Sequence, residues 1–154
     1  MSQQPALAVS TVIFALRPDD SGCLKLALPL VRRIREPFNG LWALPGGPLG
    51  ATETLVDTAS RALAQTTGLK PAYLEQLYAF GNLDRSPAAA HTDNHTPAER
   101  VVSIVYWALV GQAEAAGANE SENVRWFFAD DLPQLAFDHN LIVEYALWRL
   151  RNKV

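Results

Sequence analysis

The segment from Gly47 to Leu69 places glycines on either side of an amphipathic pattern with helical spacing. The apolar side chains of one face are Leu55, Val56, Ala59 and Leu63. Thr52 or Thr54 is expected to cap the start of this helix, and Gly68 is expected to end it in the left-handed conformation. The segment therefore predicts a helix over Thr52–Thr67, preceded by a glycine-containing loop.

Apolar and β-branched runs around this helix predict a sheet. Strands are expected at Leu7–Leu16, Leu24–Val31, Tyr73–Phe80, Val101–Val110 and Val124–Phe128. Asp138 is expected to cap a final amphipathic helix, and the small polar stretch Ala113–Ser121 is expected to be a loop. Strands and helices in this order predict an α/β fold, with a mixed β-sheet sandwiched between helices in a single domain over residues 1–154.

The charge balance and the cysteine content limit the function and the compartment. The chain has a net charge of −3 and a pI of about 5.5, whereas many nucleic-acid binders carry a large positive charge. We therefore expect no direct nucleic-acid binding by this domain. No apolar run approaches the roughly 20 residues of a membrane helix, and Met1–Pro5 carry no signal-peptide pattern. Cys23 is the sole cysteine, so we expect a cytoplasmic protein without disulfides.

The spacing within the helical segment resembles the Nudix signature G-x5-E-x7-R-E-U-x-E-E-x-G-U, in which U is an apolar residue. The matching residues are Gly47, Glu53, Arg61, Leu63, Gly68 and Leu69. The resemblance implies the Nudix fold, with Glu53 and Arg61 as catalytic candidates close to the family's catalytic face. The same two side chains also suit a structural ion pair between loop and helix, and the two roles are compatible.

Three departures from this signature bear directly on catalysis. The family's metal-binding glutamates fall on Ala62, Gln65 and Thr66. Active members hold divalent cations there against a pyrophosphate, and Mg²⁺ requires mainly carboxylate, phosphate and water oxygens. Ala62 offers no ligand atom, Gln65 offers a neutral amide and Thr66 offers a hydroxyl. We therefore expect weak or absent hydrolysis, and a Mg²⁺ cofactor only if the domain is active.

Other carboxylates are the alternative source of metal ligands. Glu53, Asp57 and Glu99 are the candidates for a substitute Mg²⁺ site. Asp57 lies one helical turn before Arg61, so pairing with Arg61 is an alternative role for it. A metal site rebuilt from such carboxylates would make the domain a Mg²⁺-dependent Nudix hydrolase.

The flanking segments look like one branch of the family, which contains ADP-ribose pyrophosphatases and Nudix-related transcriptional regulators of NAD metabolism. The similar stretches are LVRRIREPFNGLWALPGG, YLEQLYAFGNLDR, RVVSIVYWALV and LAFDHNLI. The branch implies a nucleotide ligand such as ADP-ribose, and a homodimer formed by aromatic residues of the last strand and helix. Its regulators carry a second, DNA-binding domain, so a stand-alone domain and the sensor domain of a longer protein both stay open.

Six residues are candidates for ligand contacts: Arg33, Trp42, Gly46, Gly47, Arg85 and Arg100. Arg33 sits where the branch keeps an arginine, and guanidinium groups match phosphate oxygens; a solvated basic loop that includes Arg35 is the alternative. The amides of Gly46 and Gly47 are expected to face a phosphate at a helix N-terminus, with a tight turn as the alternative. Trp42 suits the core as well as an adenine-stacking platform.

Histidines outside the signature add little to this list. His91, Asp93 and His95 have metal-ligand spacing within Ser86–Glu99, but the segment lacks a third strong ligand, so a mobile polar loop is the favoured interpretation. His139 falls in the first turn of the last helix and receives no catalytic role.

Three functions stay open after the sequence. The first is a domain that binds ADP-ribose or a related nucleotide without efficient hydrolysis. The second is a Mg²⁺-dependent hydrolase that uses substitute carboxylates. The third is a scaffold that has lost its ligand, against which the retained Gly47, Glu53, Arg61 and Arg33 argue.

Overall fold

The computed structural model describes residues 4–81 and 100–153 of the chain. Seven strands and three helices lie within these described ranges. Their order is β1 (Ala6–Pro18), β2 (Leu24–Arg32), β3 (Trp42–Ala43), β4 (Gly46–Pro48), α1 (Leu55–Thr67), β5 (Glu75–Phe80), β6 (Val101–Leu109), α2 (Gln112–Ala116), β7 (Val124–Phe128) and α3 (His139–Lys153). The predicted strands and both predicted long helices are all present, with ends that differ from the prediction by no more than three residues.

Strand β1 lies at the centre of a mixed sheet. The strand order is β3-β2-β1-β6-β5, while β4 pairs with β1 and β7 pairs with β2. β1 runs parallel to β6 from the Ala6–Val101 pair onward, and antiparallel to β2 at its other end. The first half of β1 also pairs with β4, so that Val9 lies opposite Gly47 and Ser10 opposite Gly46. The glycines of the signature are therefore fixed to the middle of the sheet.

Alternating side chains of β1 divide the core between the two faces of the sheet. Phe14 faces a cluster that includes Ile142 of α3, and all of these side chains are buried. Ile13 faces a second cluster that includes Leu63 of α1. Because α1 and α3 cover opposite faces, the predicted α/β fold, a mixed sheet between helices, is confirmed.

The local signals for α1 are confirmed by its two ends. Thr54 is the N-cap: its hydroxyl accepts a hydrogen bond from the Asp57 amide at 3.1 Å, and the Asp57 carboxylate accepts one from the Thr54 amide at 3.3 Å. Gly68 ends the helix with φ 76°, and its N–H donates to the Ala64 carbonyl at 3.0 Å. The helix begins at Leu55 rather than Thr52 because this reciprocal capping box is centred on Thr54.

One connecting segment differs from the sequence-based expectation. The predicted loop Ala113–Ser121 contains most of α2, which begins after Gly111 and buries Ala115 against the α1 side of the core. Alanine has the highest helix propensity, so a short alanine-rich helix forms where small residues suggested a loop. The short strands β3 and β4 were not predicted.

Helix α3 follows Asp138 as predicted. The Asp138 carbonyl accepts hydrogen bonds from the amides of Leu141 and Ile142, at 3.0 and 3.1 Å. Arg151 and Lys153 occupy the last turn, where positive charge favours the helix dipole. Within residues 4–81 and 100–153, no helix combines the length and the apolar character that a membrane crossing requires.

We expect Gly46→Ala to lower the free energy of unfolding by about 1–3 kcal/mol, because it would overpack the β1–β4 contact. A Cβ at Gly46 would lie 2.3 Å from the Val9 carbonyl oxygen, which is backbone and cannot swing aside. Gly47→Ala is the matched control, because a Cβ there would meet nothing within 4 Å. Urea denaturation compares the two variants, and equal stabilities would contradict this close approach of backbones.

Candidate functional site

A cavity of about 280 Å³ opens beside the paired ends of β1, β4 and β6. The described side chains around it that carry polar or aromatic groups are Ser10, Arg33, Ser103, Phe137 and His139. Gly46 and Gly47 form part of its wall, and Leu7 and Ala8 add apolar surface. The cavity, called the first cavity below, therefore combines one cation and aromatic rings with exposed strand backbone.

An aromatic cluster borders the first cavity. The Phe137 ring contacts Phe38 edge-on at 5.0 Å between ring centroids, and His139 lies 5.4 Å away on the same measure. Phe38 and Phe137 both have left-handed backbones, with φ of 64° and 56°. Such conformations are costly for bulky residues and concentrate at functional sites. Here they bring two loops, one before β3 and one before α3, to the same edge of the cavity.

His139 ties α3 to the segment between β3 and β4. Its Nδ1 accepts a hydrogen bond from the Leu44 amide at 3.0 Å, and the side chain is buried. An accepting Nδ1 carries no proton, so the neutral ring holds its proton on Nε2. Replacing this ring would leave a buried amide without its acceptor. His139 thus forms part of the cavity wall, and its hydrogen bond to Leu44 fixes its tautomer. The sequence did not suggest this role.

Arg33 is held above the Phe137 ring. Its guanidinium carbon lies 4.9 Å from the ring centroid, and Nε donates to the Pro37 carbonyl at 2.7 Å. Partial burial lowers the pKa of Arg33, and the neighbouring charge of Arg35 lowers it further, while Glu36 opposes this shift. Arginine stays protonated at neutral pH even so. The arrangement presents a partly desolvated, oriented cation to the cavity, as a phosphate contact requires.

Glu53 and Arg61 form a two-pronged ion pair. Arg61 donates from Nε to one carboxylate oxygen at 2.7 Å and from Nη2 to the other at 2.9 Å. The Thr58 hydroxyl also donates to Glu53 at 2.9 Å, and the Gly50 amide donates to that hydroxyl at 3.1 Å. Through these hydrogen bonds, Glu53 connects the loop that precedes α1 to the helix itself. Asp57 forms no ion pair with Arg61, because its carboxylate accepts the Thr54 amide in the capping box.

Acid should weaken the Glu53 contact in a measurable way. The Arg61 guanidinium, followed by the Thr58 hydroxyl, lowers the pKa of Glu53. A carboxylate with a lowered folded-state pKa stabilises the fold fully above the ordinary glutamate pKa of about 4.3, and this contribution is lost as the pH falls through the lowered value. We expect the stability difference between wild type and Glu53→Gln to shrink between about pH 5 and pH 3. Urea titrations measure it, and a difference independent of pH would contradict the ion pair.

The three positions that replace the family's glutamates do not fit a Mg²⁺ ion. Ala62 has no ligand atom and is buried, and the Gln65 amide oxygen accepts from Arg61 at 3.4 Å. The Thr66 hydroxyl donates back to the helix, to the Ala62 carbonyl at 2.9 Å. Mg²⁺ requires an octahedron of oxygens, largely anionic or from water. Among residues 4–81 and 100–153, no three His, Cys, Asp or Glu side chains cluster as a metal site would need.

The remaining candidate residues divide into three groups. Trp42 packs against Phe127 with ring centroids 5.0 Å apart and does not belong to the described wall of the first cavity. Arg100 is exposed and donates from Nη2 to the Gly81 carbonyl at 2.9 Å, again outside that wall. Three further predictions, Arg85, Glu99 and the His91–His95 group, lie outside the described residues.

The expected helix N-terminus at the double glycine was wrong. Gly46 and Gly47 belong to β4, and α1 begins only at Leu55. Both glycines nevertheless line the first cavity, so their backbone faces the same space as Arg33. Phe137 and His139 are the contributors that sequence reasoning missed, although the LAFDHN stretch was already similar to a branch segment.

Comparisons with known proteins show which family the chain resembles. A family model for the NUDIX domain matches residues 6–146. The chain is similar to an ADPR-responsive transcriptional repressor, NtrR, of Acinetobacter baylyi, with 32% identity over 97% of this chain and 56% of the repressor. It is also similar to an ADP-ribose pyrophosphatase of Methanocaldococcus jannaschii, with 31% identity over 78% of this chain and 66% of that enzyme. The chain thus spans little more than half of the repressor's length.

Among solved structures, the chain resembles the Nudix domain of Shewanella oneidensis NrtR in complex with ADP-ribose. The TM-score is 0.73 and the identity 33%, over 97% of this chain and 90% of that one. Because the family model matches residues 6–146, well over half of this chain, the chain belongs to the Nudix family.

Proposed function

We propose that this domain binds a nucleoside diphosphate derivative, with ADP-ribose as the first candidate, and hydrolyses it weakly or not at all. One observation carries the proposal: the cavity with Arg33 is intact, while Ala62, Gln65 and Thr66 provide no free anionic ligand for a cation. Binding requires only the cavity. Efficient hydrolysis requires metal ions that neutralise the diphosphate and activate a water.

The relatives support this choice of ligand. The Shewanella oneidensis domain was solved with ADP-ribose, the Acinetobacter baylyi repressor is ADPR-responsive, and the Methanocaldococcus jannaschii enzyme is an ADP-ribose pyrophosphatase. A sensor role follows from the first two, because a domain that binds without turnover reports the ligand's concentration. The sensor would act alone or within a longer regulator.

A Mg²⁺-dependent hydrolase is the second candidate function, and the retained Glu53 and Arg61 favour it. Glu53, however, already accepts hydrogen bonds from Arg61 and Thr58, and Asp57 is committed to the capping box. Either carboxylate would have to give up these bonds in order to bind a cation. The geometry of the described residues therefore supports binding more than catalysis.

Calorimetric titration of ADP-ribose, with Mg²⁺ and with EDTA, tests the proposal. We expect saturable binding in both buffers and no AMP in the cell after the titration. Mg²⁺-dependent heat that ends in AMP release would favour the hydrolase instead. Absence of any binding would favour a scaffold and overturn the proposal.

The homodimer stays a prediction, but its expected surface changes. Aromatic residues of β7 contact neighbours within the domain: Phe127 packs on Trp42, and Arg17 lies over Trp126 at 4.8 Å. Trp148 of α3 is 54% exposed and contacts Tyr145, which leaves it for a partner. Sedimentation of wild type and Trp148→Glu would measure such a dimer.

The single domain, the cytoplasmic location and the lack of direct nucleic-acid contact also stay predictions.

A further inference from the structure

A second cavity of about 340 Å³ adjoins the first and shares Arg33, Ala43, Leu44 and Gly46 with it. Ligand sites usually enclose about 300–1,000 Å³, and both cavities lie near the lower end of this range. Neither cavity alone is therefore large for a molecule the size of ADP-ribose. A ligand with two chemically distinct halves would use both. What distinguishes the second cavity is the charge of its wall.

All charged side chains that line the second cavity in the described part of the chain are arginines, namely Arg32, Arg33 and Arg35. Arg32 donates from Nε to the Asn123 side chain at 3.0 Å, and Arg33 donates to a backbone carbonyl. Among the described residues, none of the three lies within 4 Å of a carboxylate oxygen as an ion pair. The hydrogen bonds of Arg32 and Arg33 are thus to neutral acceptors, which orient these two guanidinium groups without neutralising them. Arg35 is exposed at the mouth of the cavity.

The mutual repulsion of these cations is visible in Arg33. Its pKa is lowered by burial first and by Arg35 second, and the nearby Glu36 compensates only in part. The Glu36 carboxylate accepts a hydrogen bond from the Asn39 amide at 3.3 Å, which keeps it within its own loop. An anion between the arginines would remove this penalty.

Thr66 completes the second cavity from the α1 side. This is one of the three positions at which the Nudix signature has a metal-binding glutamate. A carboxylate here would neutralise part of the arginine charge and call for a cation beside a diphosphate. Thr66 carries no charge, so the cavity stays positive without any metal.

We propose that the second cavity binds the diphosphate of the ligand directly through Arg33 and Arg35, in place of divalent cations, while the nucleoside half occupies the first cavity beside Phe137. This inference rests on the proposed function and names the part of the site that holds the phosphates. Planar guanidinium groups pair with phosphate oxygens through two parallel hydrogen bonds, which suits a metal-free clamp. Arg32 adds positive charge from the adjacent strand end.

The test measures binding of ADP-ribose, inorganic pyrophosphate and adenosine by calorimetry in EDTA. We expect Arg35→Ala to weaken ADP-ribose and pyrophosphate binding by about 10-fold or more, the effect of a lost charged hydrogen bond. Adenosine binding should not change. Arg151→Ala removes an exposed cation from the far end of α3 and is the matched control.

Thr66→Glu gives the sharper result. We expect it to weaken ADP-ribose binding in EDTA by about 10-fold, and Mg²⁺ should reverse the loss, because the new carboxylate repels the diphosphate unless a cation lies between them. Ser60→Glu adds the same charge to an exposed position of α1 and should leave affinity unchanged.

The outcomes separate the two proposals. Wild-type binding that is lost in EDTA, or Arg35→Ala with unchanged affinity for both phosphate ligands, would overturn the metal-free clamp. Pyrophosphate binding that depends on Arg35, without ADP-ribose binding, would overturn the proposed function alone. Failure of wild type to bind either phosphate compound would overturn both.

Discussion

Replacing Ala62, Gln65 and Thr66 together by glutamate is expected to raise Mg²⁺-dependent hydrolysis of ADP-ribose by at least about 10³-fold over the wild-type chain. These positions lie on the second half of α1, one to five residues beyond Arg61, where active Nudix members hold their cations. Bound metal contributes several kcal/mol of transition-state stabilisation, and each tenfold in rate corresponds to about 1.4 kcal/mol. Release of AMP from ADP-ribose, followed by chromatography, measures the change.

Because position 62 is buried, Mg²⁺ should also change the thermal stability of the triple glutamate variant, independently of catalysis. Ala62 is 6% exposed, so a glutamate there is costly unless a cation and its waters compensate. We therefore expect Mg²⁺ to raise the melting temperature of the triple variant and to leave that of the wild type unchanged. The matched control is Ala62→Gln with Thr66→Gln on the retained Gln65, which supplies three side chains of similar size without charge. If wild type and the triple glutamate variant hydrolyse at the same rate, the depleted metal site is not what limits this domain.

The sequence was most informative where a structural signal is local. The start of α1 depends on a hydroxyl and a carboxylate three residues apart, and its end depends on one glycine. Both signals lie within a few residues of the feature that they fix, so they could be read directly. The Glu53–Arg61 pair was also accessible, because the signature fixes the spacing of both partners. Asp57 shows the limit: two partners at plausible spacing, Arg61 and Thr54, compete for one carboxylate, and the backbone amide at the helix start is the one that binds.

The candidate site was only partly predictable because its walls come from distant segments. Phe137 and His139 precede and open α3, about a hundred residues along the chain from Arg33, and only the folded sheet brings them together. A left-handed backbone at Phe38 or Phe137 has no sequence signature, since bulky residues rarely adopt it. The prediction for Gly46 and Gly47 was wrong for a related reason. Their amides suggested a helix N-terminus, but pairing with β1, a distant segment of the chain, makes them part of a strand. The sequence could name Arg33 and Arg35 as candidates for phosphate contacts, but only the folded structure shows that neither forms an ion pair with a carboxylate among the described residues.

Removing Arg33 should have the largest effect on binding. We expect Arg33→Ala to weaken ADP-ribose binding by about 100-fold, equivalent to roughly 2.7 kcal/mol, because this side chain lines both cavities and forms no ion pair with a carboxylate among the described residues. Its position over Phe137 adds a cation–π contact that holds the guanidinium toward the ligand. Calorimetry with ADP-ribose, in the presence and absence of Mg²⁺, measures the loss.

Arg33→Lys separates the charge from the shape of the side chain. Lysine keeps the charge but has no planar fork and no Nε donor for the Pro37 carbonyl. If phosphate recognition is the role of Arg33, the lysine variant should retain intermediate affinity, roughly tenfold below wild type, with a stronger salt dependence than the alanine variant. If Arg33 only organises the loop through Pro37, both substitutions break the same hydrogen bond, and their affinities should fall together. Equal losses in the two variants, or wild-type affinity in Arg33→Ala, would therefore remove Arg33 from the binding site and with it the electrostatic basis for holding a diphosphate without metal.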